Sequence, residues 1–138
     1  VVSIVRYAKG AVAVVSRIDP ATNEPSKIWT SSSGKLVWQK PAPAEHPFYG
    51  ASVSPVADAG LVIVHPGNYG PLTAYDANTG EVKWIWSGDG GAFASPIVVE
   101  IDRVRQVVSV MDHLVVGVSV ADGALLWQRH RARHRAQS

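Results

Sequence analysis

The sequence predicts an all-β fold built from repeated units of four short antiparallel strands, and three observations carry that reading. Three tryptophans close one phrase, read as Ser33-Gly34-Lys35-Leu36-Val37-Trp38, Thr79-Gly80-Glu81-Val82-Lys83-Trp84 and Asp122-Gly123-Ala124-Leu125-Leu126-Trp127. They stand 46 and then 43 residues apart, a period that belongs to propeller blades and similar repeat arrays. A second marker runs in step, since Ser54-Pro55 and Ser95-Pro96 lie 41 residues apart and each precedes a Val/Ile-rich run. Composition agrees: valine supplies 22 of 138 residues, and no stretch sustains the i, i+3, i+4, i+7 apolar spacing of a helix.

The expected blades cover residues 1–40, 48–86 and 92–128, with a basic tail at 129–138. The first is degenerate. Tyr7-Ala8-Lys9-Gly10 sits where Phe93-Ala94-Ser95-Pro96 leads into the third blade, but residues 20–26 and 30–34 hold too many polar breakers for clean strands. The middle blade is clearest, with strands at 54–57, 61–65, 72–76 and 81–86. Its turns fall at 58–60 and 77–80, where glycine and asparagine tolerate the positive φ of tight hairpins, and a longer loop spans 66–71. The third repeats this grammar, with strands at 95–101, 104–110, 114–120 and 124–128.

Three such units do not close a ring, because propellers use about four to eight blades to bury both faces of every sheet. The sequence therefore reads as a segment of an incomplete ring, and further blades of a parent chain are its first expected partners. Residues 1–128 carry nine Lys and Arg against eleven Asp and Glu, while Arg129, Arg131, Arg133 and Arg135 alone make the chain basic. Such a terminal run reads as a solvated, disordered end rather than a nucleic-acid site. Cysteine is absent, which excludes disulfides and thiolate metal sites within the segment. No apolar stretch reaches the length of a membrane span.

Ala74-Tyr75-Asp76-Ala77-Asn78-Thr79-Gly80-Glu81-Val82-Lys83-Trp84 resembles, at every signature position, the tryptophan-docking repeat of pyrroloquinoline quinone-type β-propellers. The third unit keeps Gly123 and Trp127, with Gly117 for the leading alanine and Asp122 for the threonine. The first keeps little beyond Trp38. The resemblance implies that each indole packs flat between adjacent blades, where the small residue at the head of the motif, Ala74 or Gly117, makes room. It makes Trp38, Ala74, Asp76, Thr79, Gly80, Trp84, Gly117, Gly123 and Trp127 structural docking residues, none of them catalytic or ligand-binding. Alternation along the last strand sends Val82 and Trp84 to one face and Glu81 and Lys83 to the other. Burying one indole is worth roughly 4–6 kcal/mol gross.

Quinoprotein dehydrogenases of this resemblance hold the quinone and a calcium ion in the central channel, commonly beside a disulfide of adjacent cysteines. This segment offers no cysteine, and Asp58, Asp76, Asp89, Asp102, Asp112 and Asp122 fall mostly at predicted turns, where aspartate serves local hydrogen bonding. His46, His65 and His113 stand alone, and His130 and His134 lie in the tail. No cofactor or metal is expected within the segment. Residues 41–49 form a proline-rich connector that, with Tyr69, could line a rim for another protein.

The resemblance thus implies a bacterial, periplasmic or otherwise extracytoplasmic scaffold, similar in kind to the propeller lipoproteins that help assemble outer-membrane proteins. The alternative is a quinone-dependent alcohol or sugar dehydrogenase whose catalytic blades, with quinone and calcium, lie outside this chain.

Overall fold

Leu61-Val62-Ile63-Val64 lacks polar alternation, which in a short strand signals burial on both faces. A computed structural model of the chain places it in the middle of such a sheet. The structure describes residues 2–7, 10–15, 35–40, 53–66, 70–92 and 94–132. They form β1 (Val2–Tyr7), β2 (Gly10–Val15), β3 (Lys35–Lys40), β4 (Val56–Asp58), β5 (Leu61–Val64), β6 (Leu72–Asp76), β7 (Val82–Trp86), β8 (Ile97–Ile101), β9 (Val104–Val110), β10 (Leu114–Ser119) and β11 (Leu125–His130). No helix occurs among the described residues.

The strands make three antiparallel sheets, ordered β2-β1-β3, β4-β5-β6-β7 and β8-β9-β10-β11. The second and third are simple meanders, as expected. Both begin two residues or fewer after the Ser-Pro marker, because proline has no N–H to give the ladder. The first sheet departs from expectation. Its described residues supply three strands, and β1 lies between its two neighbours. Tyr7 pairs with Gly10 as the last rung of the β1–β2 hairpin, so this segment reverses the chain instead of leading into a blade. The cause is the apolar run on each side of it, which pairs with itself across the glycine. Residues 16–34, with the expected breakers at 20–26, lie outside the described residues.

A second departure recurs in all three sheets. Trp38 faces Ile4 while Leu36 faces Val5; Trp84 faces Ala74 while Val82 faces Tyr75; Trp127 faces Gly117 while Leu125 faces Val118. Each tryptophan strand therefore carries one extra residue, Val37, Lys83 or Leu126, directly before the indole. Such a bulge breaks strict alternation. Val82 accordingly does not share the buried side of Trp84 but is 44% exposed, while Trp84 is 7% exposed.

The core follows from the pleat. Ile63, Leu72, Ala74 and Trp84 on one face of the second sheet meet Val107, Met111, Leu114, Val116, Val118 and Val120 of the third. On the opposite face, Val64 and Tyr75 pack with Trp38 of the first sheet. β4 adjoins both β2 and β8, so one edge strand of each sheet gathers on one side and β3, β7 and β11 occupy the other.

Two-residue turns join β4 to β5 and β8 to β9. Their central residues all take positive φ: Ala59 49°, Gly60 75°, Asp102 51° and Arg103 64°. Only glycine does so without steric cost, so Arg103 holds a conformation its Cβ resists. Arg103→Gly is expected to raise stability by about 0.5–1 kcal/mol, read as a higher urea midpoint at unchanged slope. A lower midpoint would mean that the arginine side chain makes a compensating contact.

Candidate docking site between repeat units

Each junction between sheets is built by one indole and one turn. The turn between β6 and β7 is shaped by Asp76, whose Oδ1 accepts the N–H groups of Asn78 at 2.8 Å and Thr79 at 3.0 Å. Thr79 Oγ1 in turn accepts the Glu81 N–H at 3.2 Å, and Gly80 closes the reversal at φ 73° with its N–H on Asp76 O. The hydrogen bonds from Asn78 and Thr79 hold the Asp76 carboxyl below the usual carboxylate range. This turn presents the carbonyl of Ala77 outward, and the Trp38 indole N–H donates to it at 3.0 Å. A Cβ on Gly80 would come within 2.7 Å of the Trp38 ring, so only glycine lets the indole lie flat there. The Trp38 and Tyr75 rings meet at 5.7 Å between centroids with a 45° tilt.

The next junction repeats the arrangement one unit along. Ala74, opposite Trp84 in register, is small enough for the indole to pass over. The Trp84 N–H donates to Val120 O at 2.9 Å, and a Cβ on Gly123 would lie 2.7 Å from the ring. Val120 precedes Gly123 by the same interval that separates Ala77 from Gly80. The turn is again held by an aspartate, Asp122, whose Oδ1 accepts the Ala124 N–H at 3.1 Å and whose carboxyl that bond holds below the usual range.

Trp127 is seated differently. Its indole lies across Gly117, where a Cβ would fall 2.1 Å from Nε1. Its N–H reaches no neighbouring turn and instead donates to Gln106 Oε1 of its own sheet at 2.7 Å. The face around it is open: Ile97, Ile101 and Val104 are 55%, 46% and 44% exposed.

The structure thus gathers Trp38, Asp76, Thr79 and Gly80 at one junction, Ala74, Trp84 and Gly123 at the next, and Gly117 with Trp127 at the open face. Sequence reasoning missed Gln106, legible only as a lone amide in a valine-rich strand. It also missed polar ties between sheets. Arg105 Nε donates to Asp58 Oδ2 at 2.9 Å and its Nη2 to Asp58 Oδ1, a bidentate pair joining β4 to β9. Asp89 accepts the N–H groups of His113 at 2.7 Å and Leu114 at 3.0 Å, pinning the connector after β7 to the β9–β10 turn. Asp58 therefore bridges units, and Asp89 does so while also accepting the Gly90 N–H of its own connector at 2.9 Å.

The Arg105 hydrogen bond lowers the Asp58 carboxyl pKa, and for Asp89 the bonds from His113, Gly90 and Leu114 together outweigh the opposing effect of burial. Carboxylates depressed in the folded state add stability that is complete above the unfolded value of about 4 and is lost as pH falls through the folded values. Asp58→Asn is expected to make the loss of stability below about pH 4 shallower, followed by the urea midpoint across an acid titration. An unchanged acid limb would show that the pair adds nothing.

Among the described residues no group of three His, Cys, Asp or Glu could hold a metal ion, and no helix is long and apolar enough to cross a membrane. The segment 41–49, His46, Tyr69 and His134 lie outside the described residues. Arg129 and His130 do not belong to a tail, because β11 continues through them, and Arg131 follows with Nη1 on the carbonyls of Met111 and Asp112 at 3.0 and 3.1 Å.

The sequence model of the outer membrane protein assembly factor BamB matches residues 3–138. The chain belongs to the BamB family. The match takes in the irregular first sheet and the basic end as well as the two regular units. Among solved structures, BamB from Moraxella catarrhalis is similar over 94% of this chain at 20% identity, with a TM-score of 0.57. The chain spans about a third of that BamB chain, 34% of its length. No curated protein sequence matches. Within the BamB family, whose repeats are of the quinoprotein type, the three sheets are propeller blades.

Proposed function

We propose that this chain is a run of blades in a non-catalytic scaffold that serves outer-membrane protein assembly in an extracytoplasmic compartment. The observation that carries the reading is the match to the outer membrane protein assembly factor BamB across residues 3–138. The construction of the junctions supports it. Two tryptophans are spent on joining units, and the polar ties described above hold sheets to one another rather than surrounding a cavity. The open apolar face around Trp127 repeats the side of the second sheet that the third sheet covers, so its partner is a further blade of the parent chain. On that blade a turn carbonyl takes the Trp127 N–H from Gln106. Rim loops remain for other proteins, and the segment itself holds no cofactor.

The test uses the full-length parent protein. Depleting it from its host is expected to lower the amount of heat-modifiable, folded β-barrel protein in the outer membrane. Unchanged barrel levels would remove the assembly role. Titration of the purified parent with pyrroloquinoline quinone and calcium is expected to leave the quinone absorbance unaltered and to give no dye-linked alcohol oxidation. Binding with turnover would overturn the scaffold reading in favour of a dehydrogenase.

A further inference from the structure

His65 follows β5 and is the one buried histidine among the described residues, 5% exposed. Both ring nitrogens are occupied, and they tie different units together. Nδ1 lies 3.0 Å from the Gly70 carbonyl, and Nε2 lies 2.7 Å from Ser109 Oγ on β9 of the next blade. A carbonyl can only accept, so Nδ1 carries the hydrogen and Nε2 accepts the hydroxyl hydrogen of Ser109. The neutral imidazole satisfies both partners at once.

The ring also sits under the connector between blades. A Cβ on Gly91 would fall 2.8 Å from His65 Cγ and Nδ1, so the bare backbone of Gly91 covers the imidazole directly. The Gly91 N–H donates to the same Gly70 carbonyl at 3.2 Å, Gly91 bridges to Met111, and the Asp112 N–H donates to Gly90 O at 2.8 Å. His65 thus lies where Gly70, the 87–92 connector and β9 converge.

A second proton has only Nε2 to occupy. There it would face Ser109 Oγ, whose own hydrogen must then turn away, and Ser109 is 1% exposed with no other hydrogen-bond partner among the described residues. Among the described residues no charged side chain stands by to compensate. The sequence of the 66–71 loop holds no charged residue and one phenol, Tyr69. In the connector, Asp89 is directed to His113 and Leu114. In the β9–β10 turn, His113 Nδ1 is within 3.0 Å of Asp89 and 3.5 Å of Asp112. On β9, Arg105 is engaged by Asp58 and Glu100.

We propose that His65 is an acid-released latch: neutral, it holds Gly70 and the 87–92 connector against the third blade, and protonation frees this connector while the sheets stay folded. This goes beyond the scaffold role, since it sets when the connector is available to a partner. The direction follows from burial, which pushes the His65 imidazole below its ordinary value with partial opposition from the Gly70 bond. Its contribution is complete above the ordinary histidine range of about 6.5 and is lost as pH falls from there toward the latched value, by at most about tenfold in the opening equilibrium per pH unit.

The test is amide hydrogen exchange on the complete chain, corrected for intrinsic rates, at about pH 7.5 and 5.5. Protection at Gly91 and Asp112 is expected to drop by about tenfold, with β5, β6 and β9 amides unchanged. His65→Gln is expected to abolish that pH dependence, Ser109→Ala to shrink the drop, because without its hydroxyl the latched value rises toward the ordinary one, and His113→Asn to leave it in place. Equal protection at both pH values, or a drop that persists in His65→Gln, overturns the latch. If His65→Gln does not fold, Ser109→Ala decides alone, and an undiminished drop in that variant overturns it equally.

Discussion

Trp84→Ala lowers the unfolding free energy by about 3–5 kcal/mol. The indole is 7% exposed, and its loss opens a void beside Ile63, Leu72, Ala74 and the valines of β10. It also strips the Val120 carbonyl of its donor. Collapse into the void is unfavourable because the space lies between two sheets, whose approach is fixed by Asp58–Arg105 at β4 and β9 and by His65–Ser109 at the other rim. Urea unfolding monitored by far-ultraviolet circular dichroism measures the change, since removing Trp84 alters the fluorescence itself. Trp84→Phe separates the parts: it keeps most of the ring burial, forfeits the hydrogen bond, and is expected to cost about a third as much. An alanine variant with an unmoved transition would show that the indole is not docked.

The second large effect belongs to Gly123. It combines φ 74° with a Cβ position 2.7 Å from the Trp84 ring, whereas Gly60 has φ 75° and nothing within 4 Å of its Cβ position. Alanine at Gly60 therefore meets the backbone cost alone, about 1–2 kcal/mol. Alanine at Gly123 meets the same cost and must also push back an indole held by its own hydrogen bond, adding about 1–3 kcal/mol. The difference between the two variants, from matched urea curves, isolates the contact between turn and indole. Equal losses would mean that Trp84 moves aside freely and that the glycine serves only the turn.

Much of the scaffold was legible in the sequence because repetition amplifies weak signals. The tryptophan phrase and the Ser-Pro marker each recur, and the strands of the second and third blades fall within a few residues of their expected bounds. The first blade was harder to read because its strands do not follow the meander order, and hairpin pairing of β1 with β2 depends on valine-rich segments that look alike in any arrangement. Val82 was assigned to the wrong face because alternation assumes an unbroken pleat. The ties made by Asp58, Asp89 and His65 span 47, 24 and 44 residues, and nothing local in the sequence distinguishes an aspartate that stabilises its own turn from one that reaches the next blade. Arg129 and His130 read as tail from their charge, yet an outer strand pairs along one edge only and can expose charged side chains without losing that ladder.

The recurrent bulge has a bearing on how such repeats drift. Val37, Lys83 and Leu126 share one backbone position and nothing else: one is apolar and branched, one cationic, one apolar and long. The supernumerary residue works as a spacer, changing the phase of the strand so that the indole that follows it faces inward while the residue two before it does not. A repeat governed by phase needs few fixed letters. Copies of such a unit can diverge at nearly every position between the glycine and the tryptophan, as these three have, and still keep the shift of register directly before the indole.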